Sequence, residues 1–293
     1  MKILQSQVSA VIATLGGPCL NRTIEHLNKG TVVPHEILIC VPEIEALLID
    51  ISPFTNVKII MTPHRGQVAQ RAYGFRLSKG DFVLQLDDDV YVRPDCLELL
   101  LSLVASGEAI AAGPKLHDSR TGKYRSFLTP VGAKLTIYER FIYRFINGPA
   151  GFQPGKVGIS GVNMGFPDTS DDWADVDWLP GGCQLHRNKN LVLDAYYPFP
   201  GKAYAEDLFH SVLLRKKGVM LVRSGKAVCD LNLDSSRYLG LKRQIAEYRS
   251  YARAMTVLIR NDQRSLLRFY LFLGCHVLML VARKLRRSAL PST

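Results

Sequence analysis

Three consecutive carboxylates, Asp87-Asp88-Asp89, follow directly on the apolar run Phe82–Leu86. Three anions in a row repel one another, and desolvating them without a partner costs several kcal/mol. The cluster therefore calls for a cation, and hard carboxylate oxygens suit a divalent one. In an extended backbone Asp87 and Asp89 are expected on one side and Asp88 on the other. The alternative is a solvated loop tip or helix entry, positions that acidic residues also favour. Other chemistries find less support. There is no phosphate loop of the GxxxxGK[ST] kind. The six cysteines show no CxxC, and the seven histidines no metal-type spacing. His64 alone stands near the triplet in the expected fold, and a surface or capping role accounts for it.

The elements that must position these aspartates are legible as alternating strands and helices. Ser9–Thr14, Glu36–Val41, Val57–Thr62 and Phe82–Leu86 are continuous apolar, β-branched runs. Helices are expected over 21–29, 42–50, 66–78 and 94–105, with Pro42 and Pro94 at helix starts and Gly30 and Gly107 as stops. Strands recurring every 20 to 25 residues with helices between them are the βαβ signature, and burial on both faces explains their unbroken hydrophobicity. Such a sheet is parallel and binds ligands at the carboxyl ends of its strands, where the three aspartates emerge. A fifth strand is expected at 109–112. From 115 to 177 the pattern degrades into Gly-, Pro- and Asn-rich sequence with one helical piece, 134–146, as in a substrate-facing insertion. Residues 178–187 read as a strand-like piece entered through glycines. Helices are expected at 190–195 and 206–218, and a late strand at 219–223.

Composition is that of a globular α/β chain of 293 residues with 47% hydrophobic content. The net charge of +11 resembles a nucleic-acid signal until it is located. Residues 241–293 hold 11 Lys/Arg against Glu247 and Asp262, so the basicity belongs to the C-terminal tail. A tail of this kind suits anionic lipid better than a base-reading groove, and no nucleic-acid partner is expected. Its uncharged run, 269–282, spans about 21 Å as a helix, short of the ~30 Å hydrocarbon core. An interfacial helix or a helix docked on the main domain are the two readings left open. The unpaired cysteine pattern points to a reducing compartment. The stretch 8–17 reads as a first core strand, not a signal peptide.

With these pieces assembled, residues 7–235 resemble a family 2 glycosyltransferase of the GT-A fold, of the kind acting in bacterial surface-polysaccharide assembly. The likeness rests on ordered blocks: Val8–Thr14; Gln70-Arg71-Ala72-Tyr73-Gly74 through Lys79-Gly80 to Asp87-Asp88-Asp89; Trp178-Leu179-Pro180-Gly181-Gly182 with Arg187; and Glu206-Asp207. The resemblance implies a Rossmann-like, mostly parallel central sheet with flanking helices; the basic amphipathic helical tail read from the charge pattern lies beyond the stretch it covers. The resemblance implies a domain over 1–236, with a nucleotide-sugar half (1–113) and an acceptor half (114–236), followed by the tail, 237–293.

The activity implied is transfer of a sugar from a nucleoside-diphosphate donor to a hydroxyl acceptor, with inversion. The acceptor expected is a glycan or lipid-linked glycan at the inner face of the cell membrane, reached from the cytoplasm through the tail. Mn²⁺ or Mg²⁺ would neutralise charge on the leaving diphosphate, held by Asp87 and Asp89 with Asp88 on the ribose or the metal shell. Asp207 would be the general base, with Glu206 its neighbour in that role or on the acceptor. Thr14, Arg71, Gly181 and Gly182 would line the donor. Two departures stand out. Glu43 occupies the turn where relatives place a base-contacting Asp, and Asp230 stands where many supply a metal-binding histidine. The same carboxylates would also serve a Mg²⁺-dependent phosphohydrolase or nucleotidyltransferase, and an inactive membrane-associated scaffold of the same fold is the non-enzymatic alternative.

Overall fold

The computed structural model describes residues 8–46, 49–51, 54–121, 135–166, 171–232 and 241–289. The expected domain boundary at 236/237 falls outside them. The chain opens with four strands and their crossovers: β1 (Val8–Ala13), α1 (Leu20–Asn28), β2 (Glu36–Pro42), α2 (Glu43–Ala46), β3 (Val57–Thr62), α3 (Gln67–Leu77) and β4 (Phe82–Leu86). β1 pairs in parallel with both β2 and β4, and β2 in parallel with β3. The apolar runs are continuous because both sheet faces are covered. Ala10 and Ile12 of β1 pack into a core shared with Ile24 and Leu27 of α1, while Val11 points the other way, toward Phe75 of α3.

The second half reverses direction. After β5 (Val90–Val92), α4 (Cys96–Ala105), β6 (Ile110–Asp118) and α5 (Ile137–Asn147), the chain forms β7 (Trp173–Val176) and β8 (Cys183–Arg187). It continues with α6 (Glu206–Lys216), β9 (Met220–Leu231), α7 (Leu241–Asn261) and α8 (Leu266–Ala289). The strand order is β3-β2-β1-β4-β8-β6-β9-β5, with β7 on β9. β8 is antiparallel to both neighbours, and β5 and β7 are antiparallel to β9, whereas β6 and β9 are parallel. The sheet is thus parallel through its first four strands and mixed beyond them.

Three sequence expectations change. Residues 191–195 are not helical: a single turn at Asn188–Asn190 gives way to irregular chain. Leu191 has extended backbone (φ −59°, ψ 148°), and Leu191 and Val192 bury into different clusters, one beneath α3 and one beneath α6, as alternating side chains do. β9 runs to Leu231 instead of ending near 223, because it must reach β5. β7 had no strong signal; its half-exposed tetrapeptide is recruited by pairing with β9. The two long C-terminal helices are docked on the main body. Ala254, Met255, Leu258 and Ile259 of α7, and Phe269 and Leu273 of α8, enter the same buried cluster as Leu208 of α6 and Leu221 of β9.

Gly74 sets how close α3 lies to the sheet. A Cβ there would stand 2.4 Å from Cys40 Sγ and 2.6 Å from Val11 Cγ1, both rigid core atoms. Gly74→Ala gains about 1 kcal/mol of helix propensity, yet overpacking costs about 1–3 kcal/mol. A lower urea midpoint for Gly74→Ala, by denaturation followed with circular dichroism, is the expected outcome.

Candidate active site

The β4–β8 register builds the site. Leu86 lies opposite Cys183, which brings Gly182 beside Asp87, and Asp87 N donates to Gly182 O at 2.9 Å. Buried Gln85, the one polar residue of β4, donates Nε2 to Gly181 O at 2.6 Å. The aspartates do not continue the strand. They form a turn, so the expected alternation fails: Asp87 is directed to α3, while Asp88 and Asp89 both line an open cleft of about 890 Å³.

Arg71, on α3 and only 3% exposed, holds the centre. Its Nη2 donates to Asp87 Oδ1 and to Gly181 O (3.2 Å), and its Nη1 donates to Glu206 Oε1 at 2.8 Å. Gln67 Nε2 adds a second bond to Asp87 Oδ1, at 2.9 Å, and Tyr196 OH one to Glu206 Oε2, at 3.3 Å. Burial opposes the guanidinium charge, but the carboxylates of Glu206 and Asp87 hold it above its ordinary range. Burial likewise raises the Asp87 carboxyl, with Arg71 pulling the other way. Gly181 is needed for this contact. A Cβ on it would come within 2.2 Å of Glu206 Oε1.

Asp207 follows at the start of α6. Ala205, before the pair, has a left-handed backbone (φ 56°), a conformation uncommon for alanine that turns the chain into the helix. Asp207 Oδ1 accepts from Leu208 N at 2.9 Å. Burial first, and the charge of Glu206 second, push the Asp207 carboxyl up to about 7. Behind Glu206, Tyr196 stacks on His210, which lies 5.3 Å from His186 ring to ring. Both histidines are buried, and among the described residues neither ring nitrogen of either one has a hydrogen-bond partner. Burial drives His210 down to about 3 and His186 well below its usual value, so this pair is neutral.

The cleft is walled by the loop after β1, residues 15–19, by the turn before α3, and by residues 200–203. Thr14 Oγ1 donates to Asp88 Oδ2 and accepts from Gly16 N. Burial raises the Asp88 carboxyl, and among the described residues no cation pairs with it. Asn232 lines the cleft with Asp88 and Asp89. Two expected residues lie elsewhere. Glu43 is exposed on α2 and does not line the cleft, where Arg65, paired with Glu45 at 2.9 Å, stands instead. Asp230 is held by Arg93 through two bonds of 2.8 and 2.9 Å. Among the described residues no three His, Cys, Asp or Glu converge as a metal site. His64 is exposed, and its carbonyl accepts from Thr62 Oγ1. Arg187 donates to Gly107 O and sits over the Phe82 ring, a structural position.

Sequence reasoning did not single out Gln67, Gln85, Tyr196 or Asn232. Gln85 had a readable signal, an amide inside a buried apolar strand; the others are surface-typical residues placed by tertiary contacts. Replacing Arg71 leaves the buried Glu206 and the half-buried Asp87 without their counter-ion, which costs about 3–5 kcal/mol. Arg71→Met is expected to lower stability by that amount in chemical denaturation, and Arg71→Lys to recover only part, since one ammonium cannot fork between two carboxylates.

Residues 41–166 match the model of the family described as Glycosyl transferase family 2. No curated protein matches the chain by sequence. Solved structures with a similar fold include GalNAc-T7 with UDP, GalNAc and Mn²⁺, at a TM-score of 0.58 and 17% identity. That match covers 79% of this chain, which spans only 45% of the other. The mannosyltransferase PcManGT from Pyrobaculum calidifontis, in complex with GDP-Man and Mn²⁺, aligns at 0.56 and 12% identity over 98% of this chain and 81% of that one. TarS 1-349 of S. aureus aligns at 0.51 and 13% identity, over 90% and 70%. The matched segment carries Arg71 and the three aspartates. Residues 41–166 thus match the glycosyl transferase family 2 model, in a chain that shares the GT-A type fold of these solved structures.

Proposed function

We propose that this chain transfers a sugar from a nucleoside-diphosphate donor to a hydroxyl acceptor, with inversion and with a divalent ion bound at Asp88 and Asp89. The observation that carries this reading is the division of labour at the end of β4: Asp87 is bound by Arg71, and the next two carboxylates line the cleft. The donor set fits Mg²⁺ or Mn²⁺. Asp88 is a carboxylate raised by burial and bonded only by neutral donors, and Asp89 and Asn232 line the same wall. Such ions accept one or two protein carboxylates and fill the remaining positions with phosphate oxygens and water. When bound, the ion would supply charge neutralisation for the departing diphosphate. That Mn²⁺ accompanies nucleotide or nucleotide sugar in GalNAc-T7 and PcManGT supports the choice.

The protein's own groups perform the rest. Asp207 takes the proton of the acceptor hydroxyl as its oxygen attacks the anomeric carbon, and the nucleoside diphosphate leaves from the opposite face. A carboxyl held near 7 is a suitable base at neutral pH. Glu206, fixed by Arg71 and Tyr196, orients the start of α6 and hence Asp207. Thr14 holds Asp88, and Arg65 and Lys202 on the cleft wall meet the diphosphate charge. The basic helices favour an acceptor presented at a membrane, such as a lipid-linked glycan, with the protein peripheral on the inner face.

The decisive experiment is donor hydrolysis with Mn²⁺ across a panel of nucleotide sugars; no turnover and no binding of any of them would sink the reading. With the donor found, Asp89→Asn and Asp207→Asn should each lower transfer by about 10²–10⁴-fold while the melting temperature holds or rises. The wild-type rate has a defined pH sign. Below about 7 the Asp207 carboxyl is protonated and cannot accept the acceptor's proton, so the rate should climb with pH through a midpoint near about 7. A flat profile across that range under chemistry-limited conditions would exclude Asp207 as base.

A further inference from the structure

Two helices, α5 and the C-terminal α8, expose apolar side chains that the proposed transfer does not use. On α5, Ile137, Phe141 and Phe145 recur at four-residue spacing and are 88%, 67% and 56% exposed. The rings of Phe141 and Phe145 stack at 6.4 Å. The opposite face of α5, with Ile142, Tyr143 and Ile146, is buried. α8 repeats the pattern. Phe269 and Leu273 are buried, while Leu267, Leu271 and Leu278 form an exposed apolar stripe on another side. The two helices are packed together: Arg268 Nη1 donates to Ile146 O at 2.9 Å and Phe145 O at 3.2 Å, and the rings of Tyr143 and Phe272 lie 6.2 Å apart. Each helix thus has one face satisfied by the core and a second apolar face in water, and patches of this kind mark an interaction site.

Charge decides among occupants. Residues 241–289 hold 11 Lys/Arg and only two acids, and on α5 Arg140 and Arg144 are exposed beside the aromatic stripe. A second copy of the chain would bring the same positive surface to the contact. An anionic bilayer offers phosphates for the cations and an apolar interior for the stripes. Among the described residues no helix is long and apolar enough to cross a membrane, so both helices would lie in the interface. Exposed Tyr138 and Tyr270 suit that depth, where amphipathic rings collect.

We propose that α5 and α8 together form a membrane-docking face, inserting Phe141, Phe145 and Leu267 below the headgroups of an anionic bilayer. This rests on the reading of the C-terminal helices as the membrane contact and extends it to α5, which lies outside them in sequence.

Co-sedimentation of the full chain with vesicles tests it, using phosphatidylcholine alone and phosphatidylcholine mixed with phosphatidylglycerol. The wild type is expected to bind the mixed vesicles and to bind the neutral ones weakly. The double variant Phe141→Ser/Phe145→Ser alters only exposed positions, its fold checked by thermal melting, and should lose about tenfold or more in vesicle partition. Retention of wild-type partition by this variant would overturn the α5 assignment while leaving the α8 contact standing. No binding of wild type to either vesicle would overturn both. A lipid-free dimer that the double variant dissociates, with unchanged vesicle partition, would assign the face to a second copy instead.

Discussion

One guanidinium, buried between two carboxylates, joins the halves of this protein. Arg71 comes from the third crossover helix, Asp87 from the end of the central strand, and Glu206 from a helix far along the chain. A buried charge is tolerated only when its donors are satisfied, so the three side chains constrain one another's position closely. Neighbouring features follow from that constraint. Gly181 must lack a side chain because the Glu206 carboxylate occupies the space, and its carbonyl is fixed from two sides by Arg71 and Gln85. Asp87, engaged inward, leaves Asp88 and Asp89 to the cleft.

The buried histidine pair behind Glu206 belongs to the same logic. A protonated imidazole beside Arg71 would add like charge to a desolvated site, and both rings are held neutral. Tyr196 bridges the two layers, bonding Glu206 with its hydroxyl and stacking on His210 with its ring. The wall behind the carboxylates is thus aromatic and uncharged, which keeps the local dielectric low and the Asp207 proton tightly held.

Much of this was legible in the order of residues. The four parallel strands announced themselves as unbroken apolar runs, because burial on both faces removes alternation, and the carboxylates at the end of the fourth marked the ligand-binding edge. The direction of each aspartate was not legible. Alternation holds only while the chain stays extended, and the chain turns at Asp88–Asp89 just past its last pairing with β8, a partner distant in sequence. Asp230 illustrates the same limit: its carboxylate suited a cation, but the cation beside it is Arg93, supplied by the residue that follows β5. The basic C-terminal stretch was readable as helix, yet its docking was not. A helix with two apolar faces looks the same in sequence whether one face is covered by protein or by lipid.

The reach of the Arg71–Glu206 contact, 135 residues along the chain, has a consequence for how the molecule is made. Closing so long a loop comes late in folding, since its entropy must be overcome before the contact contributes. During synthesis the first four strands can assemble while Arg71 has only Asp87 for company, and the sheet edge beside β4 stays open until β8 emerges. That edge is a template for strand addition by any passing chain. A nascent protein at this stage is both chemically incomplete and prone to mispairing, and the same strand that closes the edge also delivers the glycines that complete the site.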